Sequence, residues 1–177
     1  MARPPRHSGI SYVGRQRFLV TAITRDRVKA FANIDFGREA VAELLRHAAK
    51  QEFSIPAYTF MDDHVHIAAR GLTAHSDLRP FIAEWKKSTG FLWSKRGFGR
   101  LWQPGFWDRR ARFDESPLVM LKYVVENPVR AKLVDHPSKY ALTGSTEFTV
   151  DEICAAIAAA GNAGGTVGGT KVPPSRG

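Results

Sequence analysis

Two histidines separated by a single residue, His64 and His66, are the feature of this sequence that most directly suggests chemistry. They lie in a short apolar run that predicts a β-strand, and on a strand the positions i and i+2 point to the same face. Two neutral imidazoles on one face can hold a divalent cation. The same spacing also occurs in histidine pairs that are merely solvated or hydrogen-bonded, so the pair alone leaves both interpretations open.

A second pair, Tyr123 and Asn127, lies in a predicted helix, four residues apart and therefore on one helix face. The amide oxygen of Asn127 is a suitable ligand for a hard cation. The hydroxyl of Tyr123 is a possible nucleophile. Tyr123 also stands among apolar residues, a pattern typical of a core tyrosine whose hydroxyl reaches solvent.

The elements that must position these four residues follow from the hydrophobic periodicity. The sequence predicts a strand over residues 17–24 and a hairpin of strands over 57–61 and 64–70, with an aromatic strand over 101–107 that is broken by a Pro-Gly pair. It predicts helices over 37–52, 78–96 (capped by Ser76 or Asp77) and 116–127, and a last short helix that a Thr149–Glu152 capping box opens and Gly161 closes. This order predicts an α+β fold, a ferredoxin-like antiparallel sheet with helices packed on one face.

Length and composition indicate one domain with its own core. The chain has 177 residues, of which 44% are hydrophobic, and a formal net charge of +9. Its single cysteine, Cys154, excludes a disulfide framework and a cysteine-based zinc site. There is no apolar run of the roughly 20 residues that span a bilayer and no apolar signal-peptide stretch at the N-terminus, so we expect a cytoplasmic protein without membrane contact.

The chain is expected to divide into a folded domain with two terminal extensions. We predict a basic arm over residues 1–16, the domain over 17–145, a short C-terminal helix over 146–160 and a glycine-rich disordered tail over 161–177. Positive charge is concentrated in residues 1–30 and 86–112, each of which contains a single acidic residue. Such concentration favours a polyanionic partner, most simply nucleic acid, although a basic surface can also serve solubility alone.

Three segments of the chain resemble, in the same order, the motifs of single-tyrosine HUH transposases. Residues 61–67, Met-Asp-Asp-His-Val-His-Ile, resemble the histidine–hydrophobic–histidine strand of that family. Residues 101–109, Leu-Trp-Gln-Pro-Gly-Phe-Trp-Asp-Arg, are similar to its Trp-Gln and Asp-Arg segment. Residues 123–134, Tyr-Val-Val-Glu-Asn-Pro-Val-Arg-Ala-Lys-Leu-Val, resemble the REP-associated subgroup of these insertion-sequence transposases. The resemblance extends over residues 10–145.

The resemblance implies the HUH endonuclease fold and the covalent cleavage and rejoining of single-stranded, hairpin-forming DNA. It implies that Tyr123 attacks a backbone phosphate and forms a 5′-phosphotyrosine, and that the metal ligands hold Mg²⁺ or Mn²⁺ beside that phosphate. The implied ligands are His64, His66 and Asn127. Relatives act as monomers or as homodimers, and the sequence leaves this state open.

The resemblance also gives the basic segments a function, as contacts to the phosphates of bound DNA. The predicted DNA-binding residues are Arg3, Arg6, Arg15, Arg17, Lys86, Lys87, Arg109 and Arg112. The four tryptophans, Trp85, Trp93, Trp102 and Trp107, are expected in the core or half-buried rather than as platforms for bases.

Three positions depart from the family pattern. Asp62-Asp63 replaces the usual Pro-Asn before the first histidine, which places two carboxylates beside the expected cation. Lys132 replaces a frequent glycine. Two other functions remain open: a hairpin-DNA-binding protein without catalysis, and a metal-dependent phosphoesterase that uses water instead of a tyrosine.

Overall fold

A computed structural model of the protein describes residues 11–112 and 114–163. Within these residues, five strands form an antiparallel sheet in the order β4-β1-β3-β2-β5. The strands are β1 (Arg17–Ile23), β2 (Phe53–Met61), β3 (His64–Gly71), β4 (Trp107–Arg110) and β5 (Thr143–Gly144). The helices are α1 (Ile34–Lys50), α2 (Leu78–Lys95), α3 (Pro117–Val125), α4 (Asn127–Arg130) and α5 (Val150–Ala163).

The central hairpin forms as predicted, with a two-residue turn at Asp62 and Asp63 between β2 and β3. Strand β2 begins earlier than expected, at Phe53, because the chain passes Pro56 without leaving the sheet. The register shifts between Ser54 and Ala57, so the proline lies at an irregularity where no ladder hydrogen bond has to be donated.

Helices α1 and α2 cover one face of the sheet, and side chains cap both. The Asn33 side chain accepts a hydrogen bond from the backbone of Phe36 and starts α1, and Asp77 caps α2 through Arg79, as the sequence predicts. Both helices bury their apolar faces on alternate residues of β1, β2 and β3. The largest side chains in this core are aromatic: Phe18, Phe31, Phe36, Phe60, Phe81 and Trp85.

Helices α3 and α5 lie on the opposite face, which the sequence did not predict. Residues Leu19, Ala57 and Ala68 of the sheet face Met120, Leu121, Val124 and Val125 of α3, and Ile153 of α5 joins the same cluster. The α+β class and the antiparallel sheet are confirmed. The expected packing of helices on one face is completed by this second, smaller layer, because side chains alternate along each strand and both sets need cover.

Two further predicted boundaries are wrong. The aromatic strand expected over 101–107 is a loop with one isolated bridge, between Thr24 and Trp102, and the strand itself begins at Trp107. The capping box of α5 is confirmed, since Thr149 Oγ1 accepts from the Glu152 backbone and the Glu152 carboxylate accepts from the Thr149 backbone. Gly161 does not end this helix, which continues to Ala163.

The chain ends are described only in part. Of the predicted arm, residues 1–10 lie outside the described residues, whereas residues 11–16 attach to the domain. Tyr12 is buried and stacks on Phe18, and Val13 bridges to Asp77. Residues 164–177 of the predicted tail also lie outside the described part. Across residues 11–112 and 114–163, no helix combines the length and apolar character that crossing a bilayer requires.

Residues 123–134 include one position with strained backbone, at Lys132, where this chain departs from the family pattern. Lys132, just after α4, has a φ of 58°. This left-handed conformation favours glycine because it brings a Cβ atom close to the following carbonyl oxygen. A glycine would adopt this left-handed conformation without strain, whereas the exposed Lys132 adopts it with some strain.

Candidate active site

The two histidines of β3 lie on the sheet face that α3 covers. In the antiparallel register, His66 pairs with Thr21 of β1 and with Thr59 of β2, and residues that pair across strands share a face. His64 pairs with Ile23 and Met61 one step further along the strands. The imidazole rings of His64 and His66 meet edge to face with their centroids 4.9 Å apart.

A carboxylate of the hairpin turn orients His64. The Nδ1 of His64 lies 2.6 Å from Oδ1 of Asp63, and because an ionised carboxylate only accepts, Nδ1–H is the donor. The other Asp63 oxygen lies 3.4 Å from the Arg27 guanidinium. This arrangement selects the tautomer of His64 that carries its lone pair on Nε2, the usual consequence of a carboxylate behind a histidine.

A threonine partners His66, which is almost completely buried. Only 5% of its surface is exposed, and its Nδ1 lies 2.9 Å from Oγ1 of Thr21. Burial, with smaller contributions from the nearby His64 and Arg130, lowers the pKa of His66 to about 3. His66 is therefore a neutral imidazole throughout the physiological range.

Tyr123 of α3 completes a row of three rings. Its ring meets the His66 ring at 5.2 Å, edge to face, and the guanidinium of Arg130 lies 4.8 Å from the centre of the Tyr123 ring. Burial raises the pKa of the Tyr123 hydroxyl, and the positive charge of Arg130 acts in the opposite direction. The hydroxyl is therefore protonated at neutral pH and needs activation before it can act as a nucleophile.

Three side chains fix the end of α3 beneath Tyr123. Asn127 Nδ2 donates to the carbonyl of Tyr123 at 2.7 Å, and Arg130 donates to the same carbonyl at 2.6 Å. Thr59 Oγ1 donates to the carbonyl of Val124 at 3.0 Å and ties the helix to β2. These bonds satisfy carbonyls that a helix end otherwise leaves unpaired, and they hold Tyr123 against the sheet.

Of the four predicted site residues, three are joined through their rings, and the fourth, Asn127, bonds through its side chain to the backbone of Tyr123. Among the described residues, ring contacts join His64, His66 and Tyr123, whereas the hydrogen bonds of the Asn127 side chain go to backbone carbonyls of α3. The helix breaks near Asn127 as predicted, since α3 ends at Val125 and Pro128 lies in the first turn of the separate α4. Asn127 uses its amide nitrogen in these bonds, and its amide oxygen is the atom with which it would contact a cation.

A basic loop borders the histidine end of the sheet. Asp26 and Arg27 both have positive φ, 52° and 57°, in a turn that Thr24 braces by donating to the carbonyls of Val28 and Asp63. Strained backbone of this kind persists where surrounding contacts impose it, often at functional sites. The loop carries the exposed cations Arg25, Arg27 and Lys29. Arg27 pairs with Asp63, the carboxylate that bonds His64, and Lys29 pairs with the adjacent Asp62.

The predicted DNA-binding residues fall into three groups. Arg3 and Arg6 lie outside the described residues. Arg15, Lys87 and Arg112 are exposed. The other three make contacts within the protein: Arg17 with the carbonyls of residues 112 and 115, Arg109 with both carboxylate oxygens of Glu115, and Lys86 with the carbonyls of Gln103 and Gly105.

The structure gives Lys86 a place that the sequence did not predict. Its side chain is partly buried, lies 5.5 Å from the centre of the Trp102 ring and bonds two carbonyls of the loop before β4. Burial lowers the pKa of Lys86 to about 8. Lys86 therefore fixes the loop before β4. Arg109 in the same way fixes the loop after β4 through Glu115, and its guanidinium keeps the pKa of Glu115 below its ordinary value.

Sequence reasoning assigned no role to Thr21 or Arg130, although both touch the candidate site. Arg130 is seven residues after Tyr123, so two helical turns would have placed it on the same side. The helix break that Pro128 predicts lies between Tyr123 and Arg130, so helical spacing alone does not fix their relative positions. The contact of Thr21 with His66 depends on strand register, for which the sequence carries no local signal.

Comparison with known proteins identifies the fold. No protein-family model matches the chain, and no curated protein matches it in sequence. Among solved structures, the chain is similar to a REP-associated tyrosine transposase bound to a REP hairpin, with a TM-score of 0.64 and 21% identity over 81% of this chain and 82% of that chain. The chain has the fold of that transposase. A candidate transposase from Deinococcus radiodurans R1 is also similar, with a TM-score of 0.48 and 16% identity over 72% of this chain and 92% of that chain.

The fold shared with that transposase is the fold that the resemblance of the three sequence motifs implies. The motifs are far apart in the chain, yet in this fold the segment 61–67 supplies β3 with its two histidines and the segment 123–134 supplies the helix end against it. The segment 101–109 leads into the edge strand β4, which pairs with β1 beside them.

Proposed function

We propose that the protein is a metal-dependent single-strand DNA endonuclease and strand transferase, a transposase that cleaves hairpin-forming DNA through a covalent bond to Tyr123. The observation that carries the proposal is the contact between the rings of His64, His66 and Tyr123 on one face of the sheet. A tyrosine that only filled a core would not need two oriented histidines beside it. The transposase fold of the chain supports the same conclusion.

The proposed reaction is a displacement at phosphorus by the Tyr123 hydroxyl. The Tyr123 hydroxyl loses its proton to solvent and its oxygen forms a bond to the phosphorus of a backbone phosphodiester. The bond from phosphorus to the 3′ oxygen breaks, and the departing 3′ oxygen takes up a proton from solvent. The product is a 5′-phosphotyrosyl link with a free 3′-hydroxyl. Because one phosphodiester replaces another, a 3′-hydroxyl can attack the link and rejoin the strand without an external energy source.

The chain's own residues prepare the tyrosine for this step. The bonds from Asn127 and Arg130 to the Tyr123 carbonyl fix the helix end, and packing against His66 fixes the ring. Fixing the nucleophile before the substrate arrives lowers the entropic part of the barrier. The Arg130 guanidinium over the ring favours the tyrosinate that forms as the proton leaves, and so opposes the effect of burial on the pKa of Tyr123.

The residues present fit a divalent cation. His64 and His66 engage Nδ1 with Asp63 and Thr21, which leaves Nε2 of each ring for a ligand bond, and His66 is neutral as a ligand must be. The described residues contain no cluster of three or more His, Cys, Asp or Glu side chains suited to a metal. The third protein ligand that the family resemblance implies is the Asn127 amide oxygen. When bound, Mg²⁺ or Mn²⁺ supplies stabilisation of the negative charge that develops on the phosphate.

The substrate class is argued from charge and from the solved relative. The exposed cations Arg25, Arg27 and Lys29 pair with Asp26, Asp63 and Asp62 at 3.4–3.8 Å. Exposed ion pairs of this kind are weak, so a phosphate backbone can compete with the carboxylates for these cations. The structurally similar transposase is bound to a REP hairpin. We therefore propose single-stranded DNA with a hairpin as the partner of this chain, with Arg15, Lys87 and Arg112 as further phosphate contacts.

The test is a denaturing gel that detects a protein–DNA adduct. Purified protein is mixed with labelled hairpin DNA from the flanks of its own gene and Mn²⁺, beside a Tyr123→Phe variant and a sample with EDTA. We expect an adduct that resists detergent and needs both Tyr123 and the metal. Cleavage without an adduct would indicate a phosphoesterase that uses water, and tight binding without cleavage would indicate a DNA-binding protein without catalysis. Either result contradicts the proposal.

A further inference from the structure

Trp107 differs from the other tryptophans of the protein in its surroundings. Trp85 and Trp93 belong to α2 and are buried in the core between the helices and the sheet, and Trp102 packs against that core. Trp107, the first residue of β4, is 50% exposed. An exposed indole is not unusual by itself, so its position relative to the candidate site decides whether it matters.

The strand register places Trp107 on the face that carries the histidines. Trp107 pairs with Thr21, and Thr21 pairs with His66, whose Nδ1 it contacts. Paired residues of an antiparallel sheet project to the same side. Neighbouring strands are roughly 4.8 Å apart, so the backbone of Trp107 lies about 10 Å from that of His66 on one continuous surface.

That surface is incompletely covered between β4 and the histidines. Within the described residues, α3 lies over β2 and β3, where Leu121 and Val124 close the second core. On β1, Thr21 and Ile23 are only half-buried, and the Trp107 side chain beyond them faces solvent. A strand of DNA crossing this part of the sheet would pass over Trp107 on its way to Tyr123.

The chain holds the start of β4 firmly. Lys86 donates to the carbonyls of Gln103 and Gly105 in the turn before it, and the backbone of Gln103 donates to the carbonyl of Ile23 at 3.0 Å. Trp102 donates to Thr89 at 2.8 Å. An aromatic ring presented on so fixed a strand loses little freedom when it binds.

We propose that Trp107 is a stacking platform for one unpaired base of the DNA strand, next to the phosphate that Tyr123 attacks. The inference rests on the proposed function for the identity of the ligand as single-stranded DNA. Indole and base present two flat faces that stack without regard to the base's hydrogen-bonding groups. The site therefore selects an unpaired nucleotide, not a particular sequence, and a base within a duplex cannot occupy it.

The test measures binding of labelled single-stranded DNA by fluorescence anisotropy in a Tyr123→Phe background, where no covalent bond forms. The strand carries a hairpin and an unpaired flank, and a set of strands has one flank nucleotide at a time made abasic. The variants are Trp107→Ala, Trp107→Phe and, as a matched control, Phe98→Ala, which removes another exposed aromatic ring. Melting curves check that each variant is folded.

We expect Trp107→Ala to weaken binding about 10-fold, while Trp107→Phe retains most of the affinity and Phe98→Ala all of it. One abasic position should abolish the difference between Trp107 and Trp107→Ala, because the base that stacks is then missing. Equal binding by Trp107→Ala, a loss that is the same at every abasic position, or no binding of these strands by the parent would overturn the inference.

The adduct assay separates this inference from the proposed function. A normal Tyr123 adduct with unchanged binding by Trp107→Ala overturns the stacking platform and leaves the transposase activity standing. Weakened binding by Trp107→Ala in a protein that never forms an adduct overturns the activity and leaves the stacking platform standing.

Discussion

The two faces of the sheet use the same three central strands for different purposes. The face under α1 and α2 is filled by aromatic and aliphatic side chains such as Phe60 and Ile67, which are completely buried. The face under α3 carries His66, Thr59 and Thr21 in one row across the strands, and helices cover it only in part. Because side chains alternate along a strand, each central strand gives one set of side chains to the core under α1 and α2 and the other set to the face on which we propose the reaction.

This separation means that neighbouring residues of one strand should respond differently to substitution. Changes on the face under α1 and α2, here called the closed face, should lower the free energy of unfolding. They should leave the candidate site intact in the molecules that remain folded. Changes to the polar row of the face under α3, here called the open face, should remove activity at little cost in stability, whereas the apolar residues of that face belong to the second core.

The largest effect is expected on the closed face, for Phe81→Ala in α2. Phe81 is completely buried and stacks on Phe53 at 4.9 Å. Its truncation should lower the free energy of unfolding by about 3–5 kcal/mol, since it removes apolar contact and leaves a cavity. Urea denaturation measures the change, with Tyr123→Phe on the open face as the comparison. A loss from Tyr123→Phe as large as that from Phe81→Ala would contradict the division between the faces.

The next effect compares two adjacent residues of β3. His66→Ala should reduce adduct formation at least about 100-fold, because it removes the neutral imidazole that packs on Tyr123 and would bind the cation. Val65→Ala, which faces the closed core, should lower the melting temperature and keep the adduct yield per folded molecule. Single-turnover kinetics on both variants decide the matter. Comparable activity losses in the two would show that the faces are not independent.

A smaller effect is expected for Asp63→Asn in the hairpin turn. Asp63 accepts the Nδ1–H bond of His64, and an amide is a weaker acceptor than a carboxylate. The Mn²⁺ concentration for half-maximal cleavage should rise about 10-fold, the lower end of the range for partners behind a metal ligand. Asp62→Asn is the control, because Asp62 pairs with Lys29 at 3.8 Å and not with a histidine. Identical Mn²⁺ titrations for Asp63→Asn and the parent would refute this role.

The smallest effect concerns a histidine of the closed face. His47 is buried between α1 and α2 near Ser88, and burial together with Arg46 lowers its pKa. The unfolded chain therefore takes up a proton near pH 6.5 that the folded protein resists, so stability should fall as the pH drops below that value. The decline in melting temperature from pH 7 to pH 5 should be smaller in His47→Gln. The exposed His75→Gln should behave like the parent, and parallel curves for His47→Gln and parent would exclude the effect.

Much of the fold could be predicted because its signals are local. The capping residues Asp77 and Thr149 act within one helical turn and do not depend on tertiary contacts. Both caps are confirmed. The hairpin of β2 and β3 follows from alternation and a two-residue turn, and it correctly places His64 and His66 on one face. These features depend on a few neighbouring residues.

The parts that could not be predicted depend on contacts between distant segments. The apolar spacing of α3 does not determine which face of the sheet the helix covers, so the sequence did not predict the second helical layer. The exposure of Trp107 and the burial of Lys86 both follow from the pairing of β4 with β1 and from the loop before it. The aromatic composition of residues 101–107 predicts a strand there, but Pro104 and Gly105 turn the chain and the strand starts only afterwards.

The most direct test of the central claim is to identify the residue that becomes bonded to DNA. After reaction with hairpin DNA and Mn²⁺, the adduct is digested with nuclease and protease and its peptides are mapped by mass spectrometry. We predict that the nucleotide remnant is attached to Tyr123 and that no remnant forms when EDTA is present. Attachment to Tyr58, Tyr140 or any other residue, or cleaved DNA with no remnant on the protein, would contradict the assignment of Tyr123 as the nucleophile on the open face.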